Sequence, residues 1–155
     1  MKKSAASLSA TALRMLATRE HSRLELRRKL QAKAQEGEDV EAVLDRMADN
    51  GLQSDERFAE GFVRSRGKRF GNARIKQELA ERGISKDLAV SALAEGLQDD
   101  ELARARAVWV RKFGEVPQDR SAWARQARFL QARGFAVDVI RKLLKEPFDE
   151  SAQGQ

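Results

Sequence analysis

The chain has 155 residues, no cysteine, and 30 Lys and Arg against 24 Asp and Glu, for a net charge of +6 and a pI near 10.0. Lack of cysteine excludes disulfides, thiolate metal sites and cysteine nucleophiles, and no stretch approaches the ~20 apolar residues that a bilayer-spanning helix needs. A cytoplasmic, soluble protein is the expectation, basic enough to favour polyanions but too rich in acids for an indiscriminate DNA coat.

Apolar residues recur at helical steps from the start. Leu13 and Leu16 belong to a first helix, and Leu26 and Leu30 to a second that opens on a capping box of Ser22 and Glu25. Asp39 then precedes Val40, Val43, Leu44 and Met47, and Gly51 closes the run. Ser54 starts a helix carrying Phe58 and Phe62; another holds Ile75 and Leu79 up to Gly83; Ser85 opens a third with Leu88 and Ala92. Further stops are expected at Gly37, Gly96, Gly114 and Gly134, and only Pro117 and Pro147 interrupt helix formation. Strict alternation is absent, so the chain reads as all-α, in about nine short helices.

These helices repeat. "ALRMLATR" from Ala12, "AEGFVRSR" from Ala59 and "ARAVWVRK" from Ala105 share an alanine, paired apolar residues and a closing base. The second helices centre on Leu30, Leu79 and Leu130, spaced by 49 and 51 residues, and the third helices match Leu44, Ala89 and Ile140. The expected architecture is three tandem three-helix repeats of about 50 residues in an elongated, curved array. The repeats span residues 1–52, 53–97 and 98–148, and a disordered tail is expected over 149–155.

Chemistry is sparse. His21 is the single histidine, and its neighbour Ser22 has a capping task, so a hydrolytic pair is not indicated. The acidic stretch Glu36 to Asp39 lacks the ligand alternation of a calcium loop, and "GKRFG" from Gly67 lacks phosphate-loop spacing. No catalytic residue, cofactor or metal site is assigned.

Surface charge says more. Each repeat nets +2, and the densest acid-free run is Arg64, Arg66, Lys68, Arg69, Arg74 and Lys76. Arg64 and Lys68 are spaced to share a helix face. Two further acid-free runs are Arg104, Arg106, Arg111 and Lys112, then Arg120, Arg125, Arg128 and Arg133. The candidate binding residues on this charge argument are Arg64, Arg66, Lys68, Arg69, Arg74, Lys76, Arg125 and Arg128. Trp109 falls in an apolar slot of the repeat and is expected in the core. Trp123 stands between Arg120 and Arg125, where packing between helices is favoured over stacking on a base.

One family carries all these features together. The chain resembles the RecX family through Arg19, Ser22, Glu25, Leu26, Lys29 and Leu30 in the first repeat, and through Asp55, Phe58, Ala59, Phe62, Val63 and Arg66 in the second. Gly71, Arg74, Ile75, Glu78, Leu79, Gly83 and Ile84 continue it, and Arg128, Phe129, Leu130, Arg133, Gly134 and Phe135 complete it. Phe58 departs from the tyrosine found in many relatives, and the first repeat's Glu36 to Asp39 loop is unusually acidic. The residues themselves point to a monomer with no active site, and the basic runs to weak direct DNA contact; the resemblance implies a partner of the RecA filament on single-stranded DNA. It implies inhibition of ATP hydrolysis, strand exchange and co-protease activity, and hence a role in repair, recombination and the SOS response. A sequence-nonspecific nucleic-acid-binding module of helix-turn-helix type, with the helix from Arg74 entering a groove, is the alternative.

Overall fold

In the computed structural model, which describes residues 7–145, the described chain forms nine α-helices in three groups. Unit 1 contains α1 (Leu8–Thr18), α2 (Arg23–Lys33) and α3 (Val40–Asp49). Unit 2 contains α4 (Asp55–Arg66), α5 (Asn72–Glu81) and α6 (Lys86–Gly96), and unit 3 contains α7 (Glu101–Lys112), α8 (Arg120–Ala132) and α9 (Val137–Leu144). The tail at 149–155 and Phe148 lie outside the described residues.

Local chemistry sets the starts. The Ser22 hydroxyl accepts from the Glu25 amide while the Glu25 carboxylate accepts from the Ser22 amide, so both partners of the box are engaged. Asp39, Ser54 and Ser85 cap α3, α4 and α6 as their positions predict. Ser7, Asp100 and Asp119 cap α1, α7 and α8, three further caps of the same type. Of the six expected glycine stops, five take positive φ; Gly96 does not, and it remains the last residue of α6. Its role is proximity: a Cβ there would press on Val63 of α4. With Ala59, Ala89 and Ala92 also buried, small side chains let α4 and α6 approach closely.

The repeat seen in the sequence is a repeat in space. Ala12, Ala59 and Ala105 are buried, as are Leu30, Leu79 and Leu130, and each trio sits at the same place in its own core. Full burial of a leucine stabilises by about 1.5–3 kcal/mol, so these positions anchor each unit separately. Trp109 and Trp123 both pack against the third core, the Trp109 indole donating to Gln126 at 2.7 Å.

Neighbouring units join by one device used twice. The glycine after the second helix of the later unit settles on the start of the second helix of the earlier one. Gly83 thus meets Leu24, and Gly134 meets Arg74. Polar contacts differ between the joints. At the first, Asp55 accepts the Arg23 amide at 2.7 Å, supplying a carboxylate to the N-terminus of α2, and Arg57 pairs with Glu20. His21 is buried beside it, with Nδ1 3.0 Å from the Arg19 carbonyl and Nε2 2.9 Å from the Lys29 ammonium. That arrangement requires a neutral ring which donates through Nδ1 and accepts through Nε2. At the second joint, the Gly71 amide donates to the Arg133 carbonyl at 2.8 Å and the Ala73 amide to the Gly134 carbonyl at 3.2 Å.

Candidate functional site

The second joint opens into a basic groove of about 870 Å³. One wall is the last turn of α4 and the residues following it; the other is α7, with the end of α6 beneath. Helix α4 ends at Arg66, so Lys68 and Arg69 project from the turn at 67–69 rather than from the helix face shared with Arg64. That turn is tight because a Cβ on Gly67 would collide with Leu97 and crowd the Val63 carbonyl.

The lining cations come from two runs that are distant in sequence. Unit 2 gives Arg64, Arg66, Lys68 and Arg69, unit 3 gives Arg104 and Arg111, and Asp99 is the sole acid in the lining. Arg111 reaches across, its Nη2 donating to the Lys68 carbonyl at 2.7 Å. Arg104 is 7% exposed, with both terminal nitrogens on the Asn72 side-chain oxygen, one at 3.1 Å. Its Nε is buried and has no hydrogen-bond partner among the described residues. Burial lowers the Arg104 pKa, and the more distant Glu101, Asp100 and Asp99 offset part of that effect. A guanidinium this enclosed, held by a neutral amide, is a cation short of a counter-anion.

The structure divides the sequence-predicted cations. Arg64, Lys68 and Arg69 are exposed around the groove. Arg66 lines it too, but its guanidinium lies over Phe62 and Phe70 and its Nε is 3.3 Å from Glu78. Arg74 lies across the surface of Phe70 while staying partly exposed, with Cζ 4.0 Å from the ring centroid and Nε 3.1 Å from Glu78. Arg133 covers Phe70 from unit 3. Arg66 and Arg74 thus share the Glu78 carboxylate and cover the same ring, which makes them part of the packing between units. Lys76 on α5 and Arg125 and Arg128 on α8 are exposed outside the groove lining.

Arg104 and Arg111 join the site although the candidate set omits them. Their signal was the acid-free run from Arg104 to Lys112, but only the fold brings it against the α4 turn. The start of α5, the part that a recognition helix inserts into DNA, is covered by the Gly134 loop through Gly71 and Ala73. Around His21 the geometry is structural: Ser22 caps α2, and the ring faces Lys29. Among the described residues no group of three or more His, Cys, Asp or Glu side chains could hold a metal, and no helix is long and apolar enough to cross a membrane.

Three linked helical units with a basic groove at one joint define an all-α repeat protein. Sequence comparison gives its family. Residues 10–47, 54–93 and 99–144 match, in order, the first, second and third three-helix domains of RecX. The chain belongs to the RecX family. It is 46% identical over 145 residues to Regulatory protein RecX of Herminiimonas arsenicoxydans, covering 94% of this chain and 95% of that one. Identity to Regulatory protein RecX of Chromobacterium violaceum is 43%, covering 93% of each chain. The crystal structure of RecX from Lactobacillus salivarius superposes with a TM-score of 0.76 at 22% identity, covering 90% of this chain and 93% of that one, a likeness that bears on the fold.

Proposed function

We propose that this chain is a regulatory protein that binds the RecA filament on single-stranded DNA and restrains it. The observation that carries this reading is a match in all three domains, over nearly the whole chain, to relatives named Regulatory protein RecX. Resemblance to that family supplies the finer content, suppression of ATP hydrolysis, strand exchange and co-protease activity; the composition and pattern of the chain add a monomer acting in the cytoplasm. The protein acts by binding, not by catalysis. Its basic groove and the exposed cations beside it face the filament, meeting acidic RecA side chains and DNA phosphate. An array of linked units touches more than one protomer and so opposes the subunit rearrangements that ATP turnover requires.

A helix-turn-helix reading fits less well. The first turn of α5 is covered by unit 3, and Glu78 and Glu81 on the same helix would oppose phosphate. Co-sedimentation with RecA filaments assembled on single-stranded DNA tests the proposal. Retention by filaments but not by naked duplex supports it, and equal retention by both would favour the nucleic-acid module. Charge variants should target Arg64, Lys68 and Arg69 and spare Arg74, whose replacement would disturb the joint.

A further inference from the structure

The groove at the second joint has features that a solvated charged face does not need. Its cations stand on two units of the chain and face one space whose lining, among the described residues, holds a single acid, Asp99. Arg104 is buried at the bottom wall with an unpartnered Nε and no carboxylate in hydrogen-bonding contact. Five of the six lining cations are arginines, whose planar forks suit phosphate oxygens. Among the described residues no aromatic side chain lines the space and Gln98 is the single side-chain amide in the lining, so the described lining neither stacks on bases nor reads their edges.

We infer that this groove holds one strand of a nucleic-acid backbone, gripped by cations of both units, and that the bound strand fixes the angle between units 2 and 3. This deepens the filament-binding reading and rests on it for the source of the strand. Recognition is through phosphate alone and is blind to sequence. The open space of about 870 Å³ has room for one phosphate backbone. Arg64, Lys68 and Arg69 meet the strand from one wall and Arg111 from the other, while Arg104 gives the innermost phosphate a desolvated fork. Occupancy adds two-sided attraction to the hydrogen bonds that already link the walls, Arg111 to the Lys68 carbonyl and Arg104 to Asn72, and so tightens the joint.

The test uses the full chain and a fluorescent oligothymidylate. Reversing charge at Lys68→Glu with Arg69→Glu is expected to weaken binding at least tenfold and to flatten its salt dependence. Each lost phosphate contact reduces the slope of log affinity on log salt by about 0.7. The matched control, Lys33→Glu with Lys142→Glu, makes the same change in net charge on exposed sites remote from the groove lining and should bind within twofold of the parent. Because the chain has no cysteine, spin labels at Ser91→Cys and Ser121→Cys can report the distance between units. The oligonucleotide should narrow that distribution, and the groove variant should abolish the narrowing. Equal losses in both charge variants, or an unchanged distance distribution on saturation, would overturn the proposal. So would displacement of the strand by polyglutamate at matched charge, which would make the groove a seat for acidic protein. Neither measurement contains a recombinase, so failure here leaves filament binding standing, and loss of filament binding with the strand grip intact would sink only the latter reading.

Discussion

Gly71 and Gly134 meet backbone to backbone across the second joint. A Cβ on Gly71 would run into the Gly134 carbonyl and the Phe135 amide, atoms that no rotamer change can move. The Gly71 φ of −81 is open to any residue, so the constraint is contact alone. Gly71→Ala is therefore expected to cost about 1–3 kcal/mol, the usual range for overpacking, through the joint rather than a unit core. Gly61 inside α4 has no neighbour closer than 3.9 Å to an added Cβ, so Gly61→Ala should gain about 0.5–1 kcal/mol. Denaturant midpoints measured on both variants check the pair. Effects of opposite sign support the contact argument; destabilisation by both would refute it.

Arg104 separates stability from binding. The slot before the repeat's buried alanine holds Thr11 in unit 1 and Phe58 in unit 2, so an uncharged side chain is compatible with this position. A buried cation with no carboxylate in contact carries a desolvation cost that an apolar chain of similar length does not. Arg104→Met should hold or raise the melting temperature while weakening oligothymidylate binding. A large fall in stability with binding retained would show that the guanidinium serves the fold instead.

The Ser22–Glu25 box is buried at the first joint, where Asp55 adds a second acceptor for the start of α2. Ser22→Ala should cost about 1–2 kcal/mol, towards the upper end of the range for N-cap loss because water cannot replace the hydroxyl. Asp55→Ala removes an acceptor shared by the Arg23 amide and Gln53. A double-mutant cycle should give coupling between the two sites, since both serve one helix end. Strict additivity would contradict that.

Stability should also fall on mild acidification because of His21. Burial lowers its pKa, and the charges of Arg19 and Lys29 act in the same direction. The unfolded chain takes up this proton near the ordinary 6.5, whereas the folded ring resists it, so stability falls as pH drops from about 6.5. Burial alone would raise the Glu25 pKa, but the hydrogen bonds from Arg19 and the Ser22 amide hold it below 4.5. Its contribution is lost only in stronger acid. Melting temperatures from pH 7.5 to 5 should therefore decline in the parent and flatten in His21→Gln. Parallel curves would exclude His21 as the cause.

The helices, the caps at Ser22, Asp39, Ser54 and Ser85, and the threefold repeat were legible because they depend on neighbours within a few residues. Ala12, Ala59 and Ala105 recur at fixed places in the pattern, and their burial follows from it. The site was legible only as charge. Arg74 has partners four residues away on either side, Phe70 and Glu78, which charge counting alone passes over; Arg69 stays in solvent. Gly134 of unit 3 also approaches Arg74 closely, a contact between distant parts of the chain that no local pattern shows. Arg104 was hidden for the same reason: its burial depends on Asn72, 32 residues away.

The central claim is restraint of the RecA filament, and ATP hydrolysis by the cognate RecA on single-stranded DNA tests it most directly. The protein is titrated well below the concentration of DNA sites, with naked-strand binding measured at the same salt. Strong inhibition at levels too low to sequester the strand is the predicted result. Inhibition that begins only as the DNA saturates would contradict the claim and leave a protein that merely competes for the strand.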